Sequence, residues 1–551
     1  MRKPSKILVL LVTIITVLSL VLSGCGGNKT SGNTSGETQT PGTSNQPAAE
    51  EDGKPKPLKF TWYIHYDWFS PDHQWGERLG EKHILETMGV EIEFVSPNGA
   101  AQQKLATMIA ADEFPDVICM DRGSEANTLM MNVGVPLDDW MYKYGNFVNE
   151  AGEETINMLR NEDGKWRQMP NWYISGDKGN GNSGWIINKK IYKELGEPRL
   201  ETYDDLEAYL AKVKQTYPDV IPMVVDPQWR CKRVILGSFV ENADVWAYDL
   251  HAVVKDNNLV SIFDEPTYKE GLYTIYKLFN KGYINQDAFT QTQEQFLEKL
   301  KSGNLAVAIS GAIATEAEGE AGHIELVKNG PEYGYKMIWP IHKTGLNKDN
   351  IKVNDFSSLG WNISFITKSA KEPERIFEFI DWLTSKEGQT IIQFGPKGEY
   401  WDEVDENGYP IPNQRYHNAS DDEKNLIPGN NWVGNTSFID GAKAAREMLL
   451  PEGQRKWSTE AQVTVAFKTT KNSVAAYGIQ PPVESEEGYI RSRLDELVNN
   501  YFAKMVFAKN DGEFEQQFEL MKQEMHEAGY EKYLNYLNTK YQENLAKLGA
   551  K

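Results

Sequence analysis

The runs LKFTWYI at 58–64 and PDVICM at 115–120 decide the fold. Both are short and apolar and read as strands, and the stretch from Gln102 to Ala111 between them reads as helix. Strand–helix alternation of this kind predicts a largely parallel sheet covered on both sides. The alternation continues downstream. Thr202 and Asp205 suit a helix N-terminus, and Leu206, Tyr209, Leu210 and Val213 form one apolar face. Residues 294–302 read as helix, stop at Gly303 and lead into the strand-like LAVAIS of 305–310. Pro373 fits a first helical turn, with Ile376, Phe377, Ile380 and Leu383 at helical spacing until Gly388. Beyond about 488 the chain reads as helix almost to its end, broken near Asn510-Asp511-Gly512 and Ala528-Gly529. At 551 residues the chain exceeds what one hydrophobic core usually serves, so two lobes or more are expected.

The N-terminus carries a different signal. Arg2, Lys3 and Lys6 precede a mostly apolar run from Ile7 to Leu22, shorter than the roughly 18 residues of a membrane span. This predicts a secretory signal peptide over 1–24. It ends in Leu22-Ser23-Gly24-Cys25, which resembles a bacterial lipobox; the resemblance implies a lipid on Cys25 and attachment to a membrane through it. Residues 25–57 hold almost nothing to bury and read as the lipidated Cys and a disordered tether, spanning on average roughly 30 Å. Removing 1–24 takes away three cations and no acid, moving the formal charge from −21 to −24. Such acidity argues against a nucleic-acid partner, which draws on clustered Lys and Arg. Besides Cys25 only Cys119 and Cys231 remain, too few for a disulfide framework. Cys119 sits in a strand-like apolar run, which favours a buried thiol, though a single bridge stays open in an oxidising compartment.

Several segments together resemble the extracellular solute-binding proteins of carbohydrate ABC importers, in the maltose-binding-like group. They are DEFPDVICM at 112–120, DGKWRQMP at 163–170, WIINKKIYKELG at 185–196, the helix of 202–213 with Tyr203 where the family has Trp, and KLKSGNLAVA at 299–308. The most specific is TKSAKEPERIFEFIDWLTSKEGQTIIQFGPKG at 367–398. The C-terminal run, with GYEKYLNYLNTKYQENLAK at 529–547, resembles the long lipoprotein branch common in Gram-positive bacteria. The resemblance implies an α/β, two-lobed periplasmic-binding-protein-like fold (type II) with hinge crossovers and a helical C-terminal region. Lobe 1 is expected over 58–172 plus 338–398, and lobe 2 over 173–337 plus 399–551. It implies reversible capture of a sugar or oligosaccharide between the lobes and delivery to ABC permease subunits. A monomer on the outer face of the cell membrane is expected, with no catalysis and no cofactor.

A sugar site needs aromatic planes for the apolar faces of pyranose rings and polar groups for hydroxyls. In open α/β sheets ligands sit beyond the carboxyl ends of strands. The first such place holds His65, Tyr66, Asp67 and Trp68, where the resemblance assigns ligand contact to Asp67; the alternative is a solvated loop with Trp68 capping the core. The second holds Asp121 and Arg122, matching a family Asp-Arg pair that binds hydroxyls, or else a surface ion pair. Trp172 and Tyr173 at the first lobe crossing, Trp229 and Arg230 in the second lobe, Trp361, and Trp401 at the last crossing complete the candidates. For any single Trp, core packing competes with stacking.

Other signals carry less. Gly179, Gly181 and Gly184 satisfy G-x-G-x-x-G but precede the strand-like WIIN instead of a helix, against a dinucleotide loop. Asp405, Asn407 and Gly408 hint at a calcium loop, yet the Glu expected at the twelfth position is absent and Asn-Gly reads as a hairpin turn. A structural calcium, as in some relatives, stays open. The eight His show no transition-metal spacing. Two other functions remain as alternatives: the same fold holding a peptide or polyol, and a surface glycoside hydrolase. The 79 acidic residues always allow a carboxylate pair to be proposed for the latter.

Overall fold

The computed structural model describes residues 56–175 and 179–549. Leu58–Ile64 lies between Val90–Val95 and Val117–Asp121 as a parallel trio, with Leu58 opposite Val90 and Trp62 opposite Val117. Asn362–Ile366 and then Met169–Asn171 extend this into a five-stranded sheet. Asn362–Ile366 runs antiparallel to both of its neighbours, which sets Asn362 opposite Asp121 on one side and Asn171 on the other.

Side chains alternate across a strand, so one sheet feeds two cores. Phe60, Trp62 and Ile64 pack with Phe377, Ile380 and Leu383. Tyr63, Ile118 and Met120 pack on the other face with Leu105, Leu129 and Met130. Each large side chain so buried contributes about 1.5–3 kcal/mol.

The helix expected from Pro373 to Gly388 is two helices, Pro373–Thr384 and Lys386–Phe394. Ser385 leaves helical geometry at φ −66°, ψ 161°, and its hydroxyl accepts from the Gly388 amide at 3.1 Å. A serine offering the backbone a cap competes with helix continuation. Gly388 is therefore no stop: it lies inside the second helix, where a Cβ would stand 2.4 Å from the Trp382 carbonyl oxygen.

Tyr335–Ile338, Gly184–Asn188, Leu305–Ser310 and Ile221–Val225 form, in that order, a separate four-stranded sheet. Helix ends around it follow the sequence. Thr202 and Asp205 form a reciprocal capping box at the start of Tyr203–Thr216, and Gly303 ends Gln293–Ser302 at φ 66°. The C-terminal helices Glu486–Val506, Asp511–Glu527 and Tyr530–Lys547 bring Leu497, Phe502, Phe518 and Leu537 into this second core. Asn510 caps the middle helix and Gly529, at φ 93°, breaks it from the last.

Two sheets with separate cores make two lobes. The chain leaves the first sheet after Asn171 and re-enters it at Asn362, and Trp432 and Val433 return later to the first sheet's core. Along the crossings Tyr173 bridges to Asn435, and Asn354–Phe356 pairs with Thr470–Asn472.

The expected signal peptide, the lipid-bearing Cys25 and most of the expected tether lie outside the described residues. The tether's last two residues are held in place: Lys56 pairs with Glu372 at 2.7 Å, and Arg375 donates to the Pro57 carbonyl at 3.3 Å. Cys119 and Cys231 are free and buried, so no bridge joins them. No helix among the described residues is long and apolar enough to cross a membrane.

Candidate functional site

The carboxyl ends of Leu58–Ile64 and Val117–Asp121 open onto a pocket of about 470 Å³, within the range of small-molecule sites. His65, Tyr66, Asp67, Trp68, Asp121 and Arg122 all line it. The loop after the first strand is anchored from both sides. The His65 amide donates to the Cys119 carbonyl at 2.9 Å, and Phe69, 6% exposed, turns into the core. Asp67 Oδ1 accepts from the Ala101 amide at 2.7 Å, capping a helix whose own N-cap, Ala100, offers no side-chain bond.

Tyr66 is the centre of the arrangement. Its hydroxyl donates to Asp121 Oδ1 at 2.5 Å and accepts from Asn362 Nδ2 at 2.9 Å. Burial, with Asp121 adding to it, holds this phenol far above its ordinary pKa, so it stays a neutral donor. Asn362 is fully buried, and its Oδ1 has no partner among the described residues.

Around the Tyr66 ring stand three indoles in nearly parallel planes. Trp68 and Trp361 each lie 5.1 Å from it, tilted 21° and 27°. Trp432 lies 6.3 Å from both Tyr66 and Trp68. Trp432 is 8% exposed and forms the base, whereas Trp68 and Trp361 are 63% and 47% exposed. Two large apolar rings held parallel in water are an unusual use of surface and make this face the candidate for binding.

Trp361 owes its place to Gly360, whose φ is 74° and where a Cβ would meet the Asn171 carbonyl oxygen at 2.2 Å. That approach lets the Trp361 amide donate to the Asn171 carbonyl at 3.0 Å.

Arg122 turns inward. It donates to Gln168 Oε1 at 2.9 Å and to the Leu359 carbonyl, and burial lowers its pKa to about 9. His65 shares a 3.0 Å hydrogen bond with the Tyr63 hydroxyl, and burial lowers its pKa despite the surrounding carboxylates. It is a neutral ring at neutral pH.

The remaining candidates are dispersed. Tyr173 is fully buried, set edge-on to Phe147 at 5.0 Å, with its amide donating to the Gly434 carbonyl. Trp229 is 5% exposed between Phe289 and Phe502. Neither offers a face to a ligand, and both are corrected to packing residues: their aromatic surface is used by the cores. Trp172 is partly buried at φ 55°, with the Lys443 ammonium 5.9 Å over its ring, and does not line the pocket. Trp401 begins a small hairpin and donates to the Gly395 carbonyl at 2.9 Å, which holds it away from the pocket as well.

Arg230 sits at the strand ends of the second sheet, between Glu318 at 2.7 Å and Asp226 at 3.3 Å. Asp226 is fully buried and accepts from the amides of Cys231 and Gly311, both at 2.9 Å. Near Asp405, the carboxylate accepts from the amides of Asn407 and Tyr409, and Gly408 has φ 83°, the geometry of a hairpin turn. No cluster of potential metal ligands occurs among the described residues.

Sequence reasoning missed Trp432, Asn362, Gln102 and Glu125. The last two stand in the first turns of the helices Ala101–Ala111 and Ser124–Val133 and line the pocket; the rule that ligands meet helix N-termini beyond strand ends reaches them. Nothing local marks Trp432, in the irregular stretch GNNWVGN of 429–435.

Comparison with known proteins gives the same architecture. A carbohydrate ABC transporter substrate-binding protein of Streptococcus pneumoniae is 23% identical over 357 residues. That match covers 62% of each chain, so this chain spans about 62% of the relative's length. Among solved structures, an HMO binding ABC-transporter associated solute binding protein from Bifidobacterium longum infantis superposes with a TM-score of 0.63 at 16% identity, over 89% of this chain and 99% of that one. The S. pneumoniae ABC-transporter substrate binding protein FusA, solved in complex with kestose, gives 0.61 at 17%, over 89% and 100%. These likenesses are of fold, an α/β two-lobed solute-binding architecture. The profile of the bacterial extracellular solute-binding proteins matches residues 86–390. With more than half of its length matched in this way, the chain belongs to the bacterial extracellular solute-binding protein family.

Proposed function

We propose that this protein is the extracellular capture component of an ABC importer, holding a sugar or oligosaccharide between two lobes and passing it unaltered to membrane permease subunits. The observation that carries the reading is the exposed, parallel pair Trp68 and Trp361 around Tyr66, beside the hydroxyl-binding groups Asp121 and Asp67. Pyranose rings present C–H faces to such indoles and hydroxyls to such carboxylates. The likeness to a carbohydrate ABC transporter substrate-binding protein, and in fold to a substrate binding protein solved in complex with kestose, supports it.

In this reading lobe 1 comprises 58–172 plus 338–398 and lobe 2 comprises 173–337 plus 399–551, with Trp432 and Val433 lent back to the core of lobe 1. Ligand contact with both lobes favours the closed state by its differential affinity. Lipid on Cys25 anchors a monomer to the outer face of the cell membrane, and no metal or cofactor takes part. Isothermal titration and thermal unfolding against a broad oligosaccharide panel test the reading. A ligand at about a hundred times its Kd adds about 2.7 kcal/mol of stability. If no saccharide binds or stabilises the protein, or if the pure protein hydrolyses one, the reading fails.

A further inference from the structure

The pocket's charge is as defined as its aromatic face. Its lining contains the carboxylates Asp67, Asp121 and Glu125, one guanidinium and no lysine. That guanidinium, Arg122, is committed inward to Gln168 and to the Leu359 carbonyl. His65, the other basic group, is held neutral by its burial. Two carboxylates keep an oxygen for a ligand: Asp121 uses Oδ1 for Tyr66 and Asp67 uses Oδ1 for Ala101, and among the described residues nothing bonds to the second oxygen of either. Glu125 is exposed and, among the described residues, is hydrogen-bonded only by Gln102, at 3.4 Å.

The other arginine expected at the site is no freer. Arg230 stands between Asp226 and Glu318, two acids to one base. The chain's formal charge of −21 adds a field of the same sign.

An indole face accepts the C–H surface of a charged and an uncharged sugar alike. Carboxylates do not: they accept hydrogen bonds from hydroxyls and repel a second anion brought within a few ångströms. We propose that this pocket selects uncharged saccharides and rejects those carrying carboxylate or sulfate groups. The inference rests on the glycan-capture reading, and its test separates the two.

Neutral malto-, cello-, xylo- and fructo-oligosaccharides are titrated against the full mature chain beside oligogalacturonides and sulfated chondroitin disaccharides. The expected result is binding of at least one neutral probe and about ten-fold or greater weakening for the anionic probes. Added salt narrows that gap, and Glu125→Lys narrows it further, with Glu125→Gln as the milder variant at the same exposed position. An anionic probe that binds as tightly as the best neutral one overturns the inference and leaves glycan capture standing. A neutral preference that neither salt nor the Glu125 variants alter assigns selection to shape and overturns it as well. No binding by either class removes the capture reading and this inference together.

Discussion

The Tyr66 hydroxyl donates to the Asp121 carboxylate at 2.5 Å, joining the loop after one strand to the end of the next. The same hydroxyl accepts from Asn362 Nδ2, so a single oxygen ties three segments of the first sheet together. Tyr66→Phe keeps the ring beside Trp68 and Trp361 but leaves Asp121 and the fully buried Asn362 short of a partner. A stability loss of about 1–3 kcal/mol is expected from the unsatisfied groups, with weaker saccharide binding. Urea unfolding and calorimetric titration of the variant check this; unchanged stability would show that the hydroxyl is dispensable.

The four aromatic residues are expected to separate into two kinds. Trp68→Ala removes a side chain that is 63% exposed, so stability should change by no more than about 0.5 kcal/mol while affinity falls about ten-fold. Trp432→Ala empties a buried position and should cost about 3–5 kcal/mol. Equal stability losses for the two variants would contradict the assignment of one to the ligand face and the other to its base.

A polar knot fixes the segment that carries Trp432. Glu81, fully buried, accepts from His73 Nε2 at 2.9 Å, from the Gly76 amide at 3.1 Å and from the Asn430 amide at 2.9 Å. Burial pulls the His73 pKa down, but hydrogen bonds to Glu81 and Asp72 outweigh it, and the net shift is upward. A base whose folded pKa is raised stabilises the fold fully below its unfolded value, about 6.5, and that stability is lost as pH rises through the folded value. Unfolding free energy measured across this window should therefore decline with rising pH, and His73→Ala should flatten the decline. An unchanged slope in the variant would place its origin elsewhere.

Gly360→Ala should displace Trp361. The new Cβ would lie 2.2 Å from the Asn171 carbonyl oxygen at a backbone φ of 74°. Both effects act in the folded state, and a cost above about 1 kcal/mol is expected. Binding should weaken with it, read by titration and by the near-ultraviolet dichroism of the indole cluster. A variant with wild-type stability and affinity would show that the loop re-forms without the close approach.

Much of the scaffold is legible locally. The capping box at Thr202 and Asp205, the stop at Gly303 and the breaks at Asn510 and Gly529 involve atoms a few residues apart, and the chain states them directly. The site is legible where it follows a strand end: His65 to Trp68 and Asp121-Arg122 do meet in one pocket. It is illegible for isolated aromatics. Trp229 and Trp361 look alike as letters, yet one is 5% and the other 47% exposed. Ser385 is the local exception, because its preference for capping overrode an apolar periodicity that ran past it.

The amino-acid order alone determined the strand–helix alternation, the division into two sheets' worth of core and the acidic character of the surface, since each depends on periodicity, length or composition. The folded chain decided which indoles face solvent, where Arg122 points, and that Trp432, more than 350 residues after Tyr66, lies 6.3 Å from its ring. Those outcomes depend on distances between segments far apart in the chain. Such distances are fixed by the packing of whole sheets and helices, and no residue's own chemistry or immediate neighbours encode them.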